Sequence, residues 1–83
     1  MNIKQVIASA GQNLHTIIIK AQEEDGSVEI REAEPYSYRV KHGHELFFCY
    51  DIVKQGTRSF IVTRIISVEE TANSFNPRWT VEV

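Results

Sequence analysis

The chain has 83 residues, of which 42% are hydrophobic and 24% charged, and its formal net charge at pH 7 is −2. These values are typical of one small globular domain and exclude both a disordered tail and a wholly basic nucleic-acid-binding domain. The charge is uneven, because residues 36–83 carry six basic and five acidic side chains while residues 1–35 carry three and six. A local basic patch is therefore expected in the second part of the chain.

Residues 1–13 are predicted to form an amphipathic helix. Asn2 is a suitable N-cap, and Gly11 and Asn13 supply an end. The apolar residues follow the spacing of one helical face: Ile3, Val6, Ile7 and Ala10. A helix this short needs a surface on which to dock.

The next segments read as strands and turns. The β-branched run at residues 14–22 predicts a strand, and Asp25-Gly26 predicts a hairpin to the following one. Pro35 is expected to end that second strand after Glu34. Residues 36–40 predict a short third strand, and a turn follows around Gly43.

The second part of the chain begins with its most apolar strand, residues 45–53. Its alternation places Phe47 and Cys49 on one face and Leu46, Phe48 and Tyr50 on the other, so both faces need cover. One face fits a core, and the other needs the N-terminal helix or a second protein chain. A strand over residues 57–64 follows.

After Arg64 the pattern changes, because Ile65 and Val68 have helical spacing. A helical turn is predicted there, then an ordered loop and a closing strand at residues 79–83. The fold class is therefore mainly β with one N-terminal helix (α+β). We predict a single domain in which a small antiparallel β-barrel of five or six strands, residues 14–83, is capped by the helix.

Cys49 is the only cysteine, so no intrachain disulfide can form. With no signal peptide and no long apolar run, the sequence predicts a soluble, cytoplasmic protein without a membrane segment. The thiol lies within an apolar run and is expected to be a small buried hydrophobe. His42 and His44 flank a turn and His15 lies on a distant strand, so a solvated turn is favoured over a metal site. No catalytic motif is present, and neither an enzyme nor a cofactor is predicted.

Two arginines, Arg58 and Arg64, stand near the ends of the strand at residues 57–64. On a straight strand their Cα atoms would be about 20 Å apart, too far to hold one small anion, unless the chain turns helical at Thr63 or Arg64. Arginine suits phosphate because its planar group donates two parallel hydrogen bonds. The alternative is that each arginine pairs with an acid, for which the candidates are Glu29, Glu69 and Glu70.

The ordered set of motifs resembles the WYL domain family. Arg31 and Pro35 match its first element, and "ELFFCYD" occupies the signature strand, where the W-Y-L triplet is replaced by Glu45-Leu46-Phe47. "RSFIVTRI" matches the arginine strand and "TANSFNPR" the closing element. The resemblance covers roughly residues 14–78, and the winged helix that usually precedes the family's domain is not among the 83 residues.

This resemblance implies an Sm-like barrel acting in ligand sensing and transcription regulation or defence. The implied ligand is a nucleotide or single-stranded nucleic acid on a patch made by Arg31, Arg58 and Arg64, with Tyr36 or Tyr38 stacking on it. The implied partners are a second copy of the chain or a protein that carries a DNA-binding domain. A different function is also open, namely a protein-interaction or oligomerisation domain without a small-molecule ligand, since both faces of residues 45–53 are apolar.

Overall fold

A computed structural model describes residues 2–83, which contain one α-helix, five β-strands and one 3-10 turn. The helix α1 spans Ile3–Asn13, and the 3-10 turn spans Val62–Arg64. The strands are β1 (His15–Gln22), β2 (Val28–Lys41), β3 (His44–Asp51), β4 (Gly56–Ile61) and β5 (Ile65–Ser74). The α+β class that the sequence predicts is confirmed.

The helix begins as predicted, at the N-cap Asn2. The Asn2 side chain accepts a hydrogen bond from the Gln5 backbone amide, and the Gln5 side chain accepts one from the Asn2 backbone amide. This reciprocal pair is a capping box, which satisfies two otherwise free amides. The helix ends at Asn13, as predicted, and Leu14 follows it as the C-cap in the left-handed conformation, with φ of 54°.

Gly11 lies inside the helix and is buried rather than serving as its end. A Cβ built at this position would lie 2.5 Å from Val83 Cγ2 and 3.2 Å from Val81 Cγ1. The absence of a side chain therefore lets residues 81–83, which belong to the C-terminal tail, pack directly on the helix.

The five strands form one antiparallel sheet in the order β4-β3-β2-β1-β5. Within residues 2–83, the outer strands β4 and β5 do not pair with each other, so the sheet is open and the predicted closed barrel is not confirmed. The hairpin at Asp25-Gly26 is present, with Gly26 at φ of 87°. His42 and Gly43 make the exposed β2–β3 turn, both with positive φ.

Pro35 does not end a strand, and this prediction is wrong. β2 continues through it to Lys41, because the register advances from Pro35 opposite Cys49 to Ser37 opposite Phe48. Tyr36 is thus an extra residue, a β-bulge, and proline is tolerated at bulges because a ladder hydrogen bond is missing there anyway.

The region after Arg64 is also different from the prediction, since Ile65–Ser74 is a strand. Ile65 pairs with Ala21 and Ser67 with Lys20, which leaves Ile66 as a bulge. One extra residue shifts the alternation of the strand, so the buried residues Ile65 and Val68 lie three apart and imitate a helix. Residues 79–83 were predicted as a strand but have an irregular conformation.

The core lies between the inner face of the sheet and α1. Phe47 and Cys49 are fully buried in it, whereas Leu46, Phe48 and Tyr50 lie on the outer face and are half-buried. The helix packs on the β5, β1 and β2 side. The C-terminal tail, residues 75–83, provides part of the cover of the outer face, because Trp79 contacts Tyr50 with 6.2 Å between the ring centroids.

Candidate functional site: an arginine cluster and a tail groove

Arg31 and Arg58 meet on one carboxylate, that of Glu29. Arg58 donates from Nη1 and Nη2 to the two Glu29 oxygens at 2.6 and 2.9 Å, the two-pronged geometry that guanidinium groups form with planar anions. Arg31 Nη2 lies 2.9 Å from Glu29 Oε1. The structure therefore brings together two of the three arginines predicted as a ligand patch. It also pairs both of them with Glu29, one of the three acids that were expected as alternative partners.

The strand register explains this meeting. Glu29 and Arg31 are two residues apart on β2, so they share the inner face with Ala33. Arg58 lies opposite Cys49, which places it on the inner face of β4, and its guanidinium lies 5.0 Å from the Phe60 ring centroid. The cluster thus lies on the inner side of the sheet, where the apolar core ends.

A second carboxylate, Asp51, completes the cluster from β3 and is only 1% exposed. Its Oδ2 lies 3.5 Å from Arg58 Nη1 and 3.4 Å from Arg31 Nε. Its Oδ1 accepts hydrogen bonds from the Val53 and Lys54 amides, both at 3.0 Å, and so holds the β3–β4 turn.

Two flexible side chains lie at the margin of the cluster. Glu23 approaches Arg58 Nη2 at 3.4 Å, and Lys54 Nζ approaches Glu29 at 3.9 Å. We call the whole set the arginine cluster, and its three cations and three carboxylates sum to zero: Arg31, Arg58, Lys54, Glu23, Glu29 and Asp51.

The ion pairs shift the pKa values of the residues that form them. The hydrogen bonds from Arg58 are the main reason that the pKa of Glu29 is lowered to about 2, and the same contact raises the pKa of Arg58. The pKa of Glu23 is raised, chiefly by its interaction with the neighbouring Glu29 carboxylate and secondly by burial. Glu29 therefore stays ionised at neutral pH and neutralises the guanidinium groups that an anion would use.

Arg64 is separated from this meeting point. It closes the 3-10 turn and lines a pocket of about 300 Å³ together with Glu23 and Ser59. With the residues that the structure describes, Arg64 forms no ion pair. Glu23 and Phe60 both contact Arg58 and both line the Arg64 pocket, so the two sites adjoin.

The two tyrosines predicted to stack on a ligand are engaged in packing. Tyr36 is buried, with the edges of Phe75 and Trp79 at centroid distances of 5.9 and 5.1 Å. Its hydroxyl donates to Glu34 and accepts from the Arg78 amide, and burial is the main reason that its pKa is raised to about 12. Tyr38 packs on Phe47 at a centroid distance of 5.5 Å.

Arg78 anchors the C-terminal tail to the outer face of the sheet. Its guanidinium lies 3.8 Å from the Tyr50 ring centroid, and its Nε donates to the buried Glu34 carboxylate at 3.2 Å. Further along, the Glu82 amide donates to the Tyr36 carbonyl at 2.7 Å. The segment between these anchors is therefore held at both ends.

Beside that segment is a groove of about 500 Å³, which we call the tail groove. It lies between residues 79–82 and the outer face of β2 and β3. Its lining combines aromatic, basic and hydroxyl groups: Tyr36, Ser37, Arg39, Val40, Lys41, Phe48, Trp79, Thr80 and Glu82. The sequence carried a signal for this surface, since aromatic and basic residues occur close together in both segments, but only the folded tail shows that they face each other.

Other candidate sites have simpler geometries. His15 Nδ1 lies 2.7 Å from Glu70, on the opposite strand. In residues 2–83, no group of three or more histidine, cysteine or acidic side chains is arranged to hold a metal ion. Cys49 is buried as predicted, and burial is the main reason that its pKa is raised to about 12. No helix in the same range is long and apolar enough to span a membrane.

Comparisons with known proteins add information on the fold. No protein-family model matches the chain, and no curated protein sequence matches it significantly. Among solved structures, the chain is similar to Proteasome accessory factor B/C (PafBC) of Arthrobacter aurescens, with a TM-score of 0.79 and 23% identity. The match covers 90% of this chain and 12% of that protein. The likeness supports a WYL-like fold, as the ordered motifs predicted.

Proposed function

We propose that this chain is a cytoplasmic, non-catalytic regulatory module that binds a nucleotide or single-stranded nucleic acid through the arginine cluster and Arg64. The observation that carries the proposal is the convergence of Arg31 and Arg58 on the Glu29 carboxylate. Two guanidinium groups on one oxyanion form a ready-made geometry for a phosphate, because carboxylate and phosphate are recognised by the same parallel hydrogen bonds. The WYL-like fold adds support for a regulatory role.

In this proposal Glu29 is the internal competitor of the ligand. The cluster has no net charge, so a phosphate reaches Arg58 only if it displaces the Glu29 carboxylate. Binding is therefore expected to be weak at physiological salt and to strengthen at low salt. Arg64, which forms no ion pair within residues 2–83, supplies the first contact, and Glu23 lies between the two positions.

The test is a titration of labelled nucleotides and oligonucleotides at low salt, followed by fluorescence anisotropy. Glu29→Gln keeps the shape of the side chain and frees the guanidinium groups, so affinity should rise about tenfold. Arg64→Ala should lower it. Glu69→Gln is the matched control, because it removes the same charge from an exposed position on β5. Absence of binding up to millimolar concentrations, or identical affinities in all four proteins, would refute the proposal.

An oligomerisation domain is the second candidate function. Val28 and Ile30 share the outer face of β2 and are 51% and 56% exposed, which is unusual for two neighbouring aliphatic side chains on one face. Burying them against a second copy would remove this surface from water. Light scattering at high concentration tests the idea: an oligomer that Ile30→Lys dissociates supports it, and a monomeric wild type contradicts it.

A further inference from the structure

The tail groove has a different position from the arginine cluster. Ser37 and Phe48 are paired across β2 and β3 and line the groove on the outer face, whereas Cys49 and Arg58 lie on the inner face. The two surfaces are thus on opposite sides of the same strands. A ligand in the groove makes its contacts independently of the arginine cluster.

The aromatic wall of the groove is preorganised. Trp79 is 52% exposed, yet its ring packs against Tyr36 edge to face and against Tyr50 at a tilt, at centroid distances of 5.1 and 6.2 Å. The backbone on either side of Trp79 is fixed by the Arg78 and Glu82 hydrogen bonds. A large ring held in this way loses little conformational entropy when a planar group stacks on it.

The opposite wall supplies positive charge. Lys41 Nζ lies 5.9 Å from the Phe48 ring centroid, and the Lys41 side chain is exposed. The Arg39 guanidinium is already engaged within the protein, because it donates to Glu82 at 3.0 Å and to the Tyr38 carbonyl at 2.7 Å. The charges in the groove therefore sum to +1, since Arg39 and Lys41 face a single acid, Glu82.

We propose that the tail groove binds a nucleobase that carries a phosphate, with the base against Trp79 and the phosphate at Lys41. The volume of about 500 Å³ is in the range of pockets for molecules of this size. A planar ring with an anionic group matches an aromatic wall beside an ammonium group, and stacking of this type is tolerant of the base identity. A free nucleotide and one unit of a single strand have the same chemistry.

Trp79 is the only tryptophan of the chain, so its fluorescence reports directly on the groove. We would titrate the protein at low salt with AMP and, separately, with a short oligothymidylate, exciting at the red edge of the indole band. Both are expected to quench the emission. Tenfold tighter binding of the oligonucleotide identifies a strand as the source, and equal or tighter binding of AMP identifies a free nucleotide; both results support the site.

Three variants make the test specific. Lys41→Gln should raise the dissociation constant measured by quenching about tenfold, as the loss of one charge-assisted contact predicts. Lys20→Gln removes the same charge from the exposed surface of β1 and should have no effect. Arg64→Gln should leave the quenching unchanged although it weakens binding at the arginine cluster, so failure of one site is distinguishable from failure of the other.

Ribose 5-phosphate and adenosine test the two halves of the ligand. Each should bind the groove at least tenfold more weakly than AMP does, as judged by the concentration needed to shift the AMP titration, because each makes only one of the two contacts. The proposal is overturned by absence of quenching at millimolar AMP and oligonucleotide, by an equal effect of the Lys20 and Lys41 substitutions, or by ribose 5-phosphate competing as well as AMP.

Discussion

The contact between Gly11 and Val83 predicts a substitution whose effect changes sign with its neighbour. In the wild type, Gly11→Ala gains about 0.5–1 kcal/mol of helix stability, since alanine restricts the unfolded chain. Its Cβ would lie 2.5 Å from Val83 Cγ2, and overpacking of this type costs about 1–3 kcal/mol. The net expectation is a loss of about 1 kcal/mol.

In the Val83→Ala background the same substitution should be stabilising. Alanine has no Cγ2, so the closest remaining side-chain contact of the new methyl is Val81 Cγ1 at 3.2 Å. The helix gain then prevails, and Gly11→Ala should raise the free energy of unfolding by roughly 0.5 kcal/mol. The two substitutions therefore carry a coupling energy of about 1.5 kcal/mol.

Urea unfolding of the four proteins, followed by far-UV circular dichroism, measures this cycle. For a domain of this size a difference of 1 kcal/mol shifts the midpoint by about 1 M. The control is the difference in unfolding free energy between Gln12→Ala and Gln12→Gly. Gln12 is exposed in the same helical turn, so this pair gives the helix preference for alanine over glycine without any contact to residues 81–83. Additivity of the two substitutions within about 0.4 kcal/mol would show that Val83 does not pack on the helix.

Three further predictions concern stability and reactivity. Asn2→Ala removes half of the capping box and should cost about 1 kcal/mol in urea unfolding; an unchanged midpoint contradicts the cap. Because the pKa of Glu29 is depressed from 4.5 to about 2, its contribution to stability is complete above pH 4.5 and is lost as the pH falls towards 2. The wild type should lose about 2 kcal/mol more than Glu29→Gln across this window, and parallel pH profiles would refute the ion pair. Cys49, with its pKa raised to about 12, should not react with a disulfide reagent at pH 8 until the chain unfolds, and rapid labelling of the native protein would show that it is accessible.

Local signals in the sequence predicted the parts of the fold that depend on neighbours in the chain. The helix start follows from Asn2 and Gln5, three residues apart, and the first hairpin follows from Asp25-Gly26. These features are set by short-range hydrogen bonds and by backbone preferences, which the residue types alone determine.

The bulges could not be predicted in this way, because a bulge is defined by the opposite strand. Tyr36 and Ile66 each look like ordinary strand residues until their partners are counted. For the same reason the helical spacing of Ile65 and Val68 was misleading.

The candidate site was predictable only in its residue types. The resemblance grouped Arg31, Arg58 and Arg64, but the pairing of the first two with Glu29 and Asp51 depends on the register of three strands. The tail groove depends on a long-range contact, because residues 79–82 return to a strand some forty positions earlier. Aromatic and basic residues were visible in both segments, whereas their meeting was not.

The two oxygens of Asp51 serve two different parts of the molecule, and this division has a consequence for communication through the domain. One oxygen fixes the amides of Val53 and Lys54, and the other faces the two guanidinium groups. An anion that draws Arg31 and Arg58 away would leave the carboxylate free to rotate, and the turn would open more often. Hydrogen exchange at these two amides would then report whether the opposite side of the carboxylate is occupied.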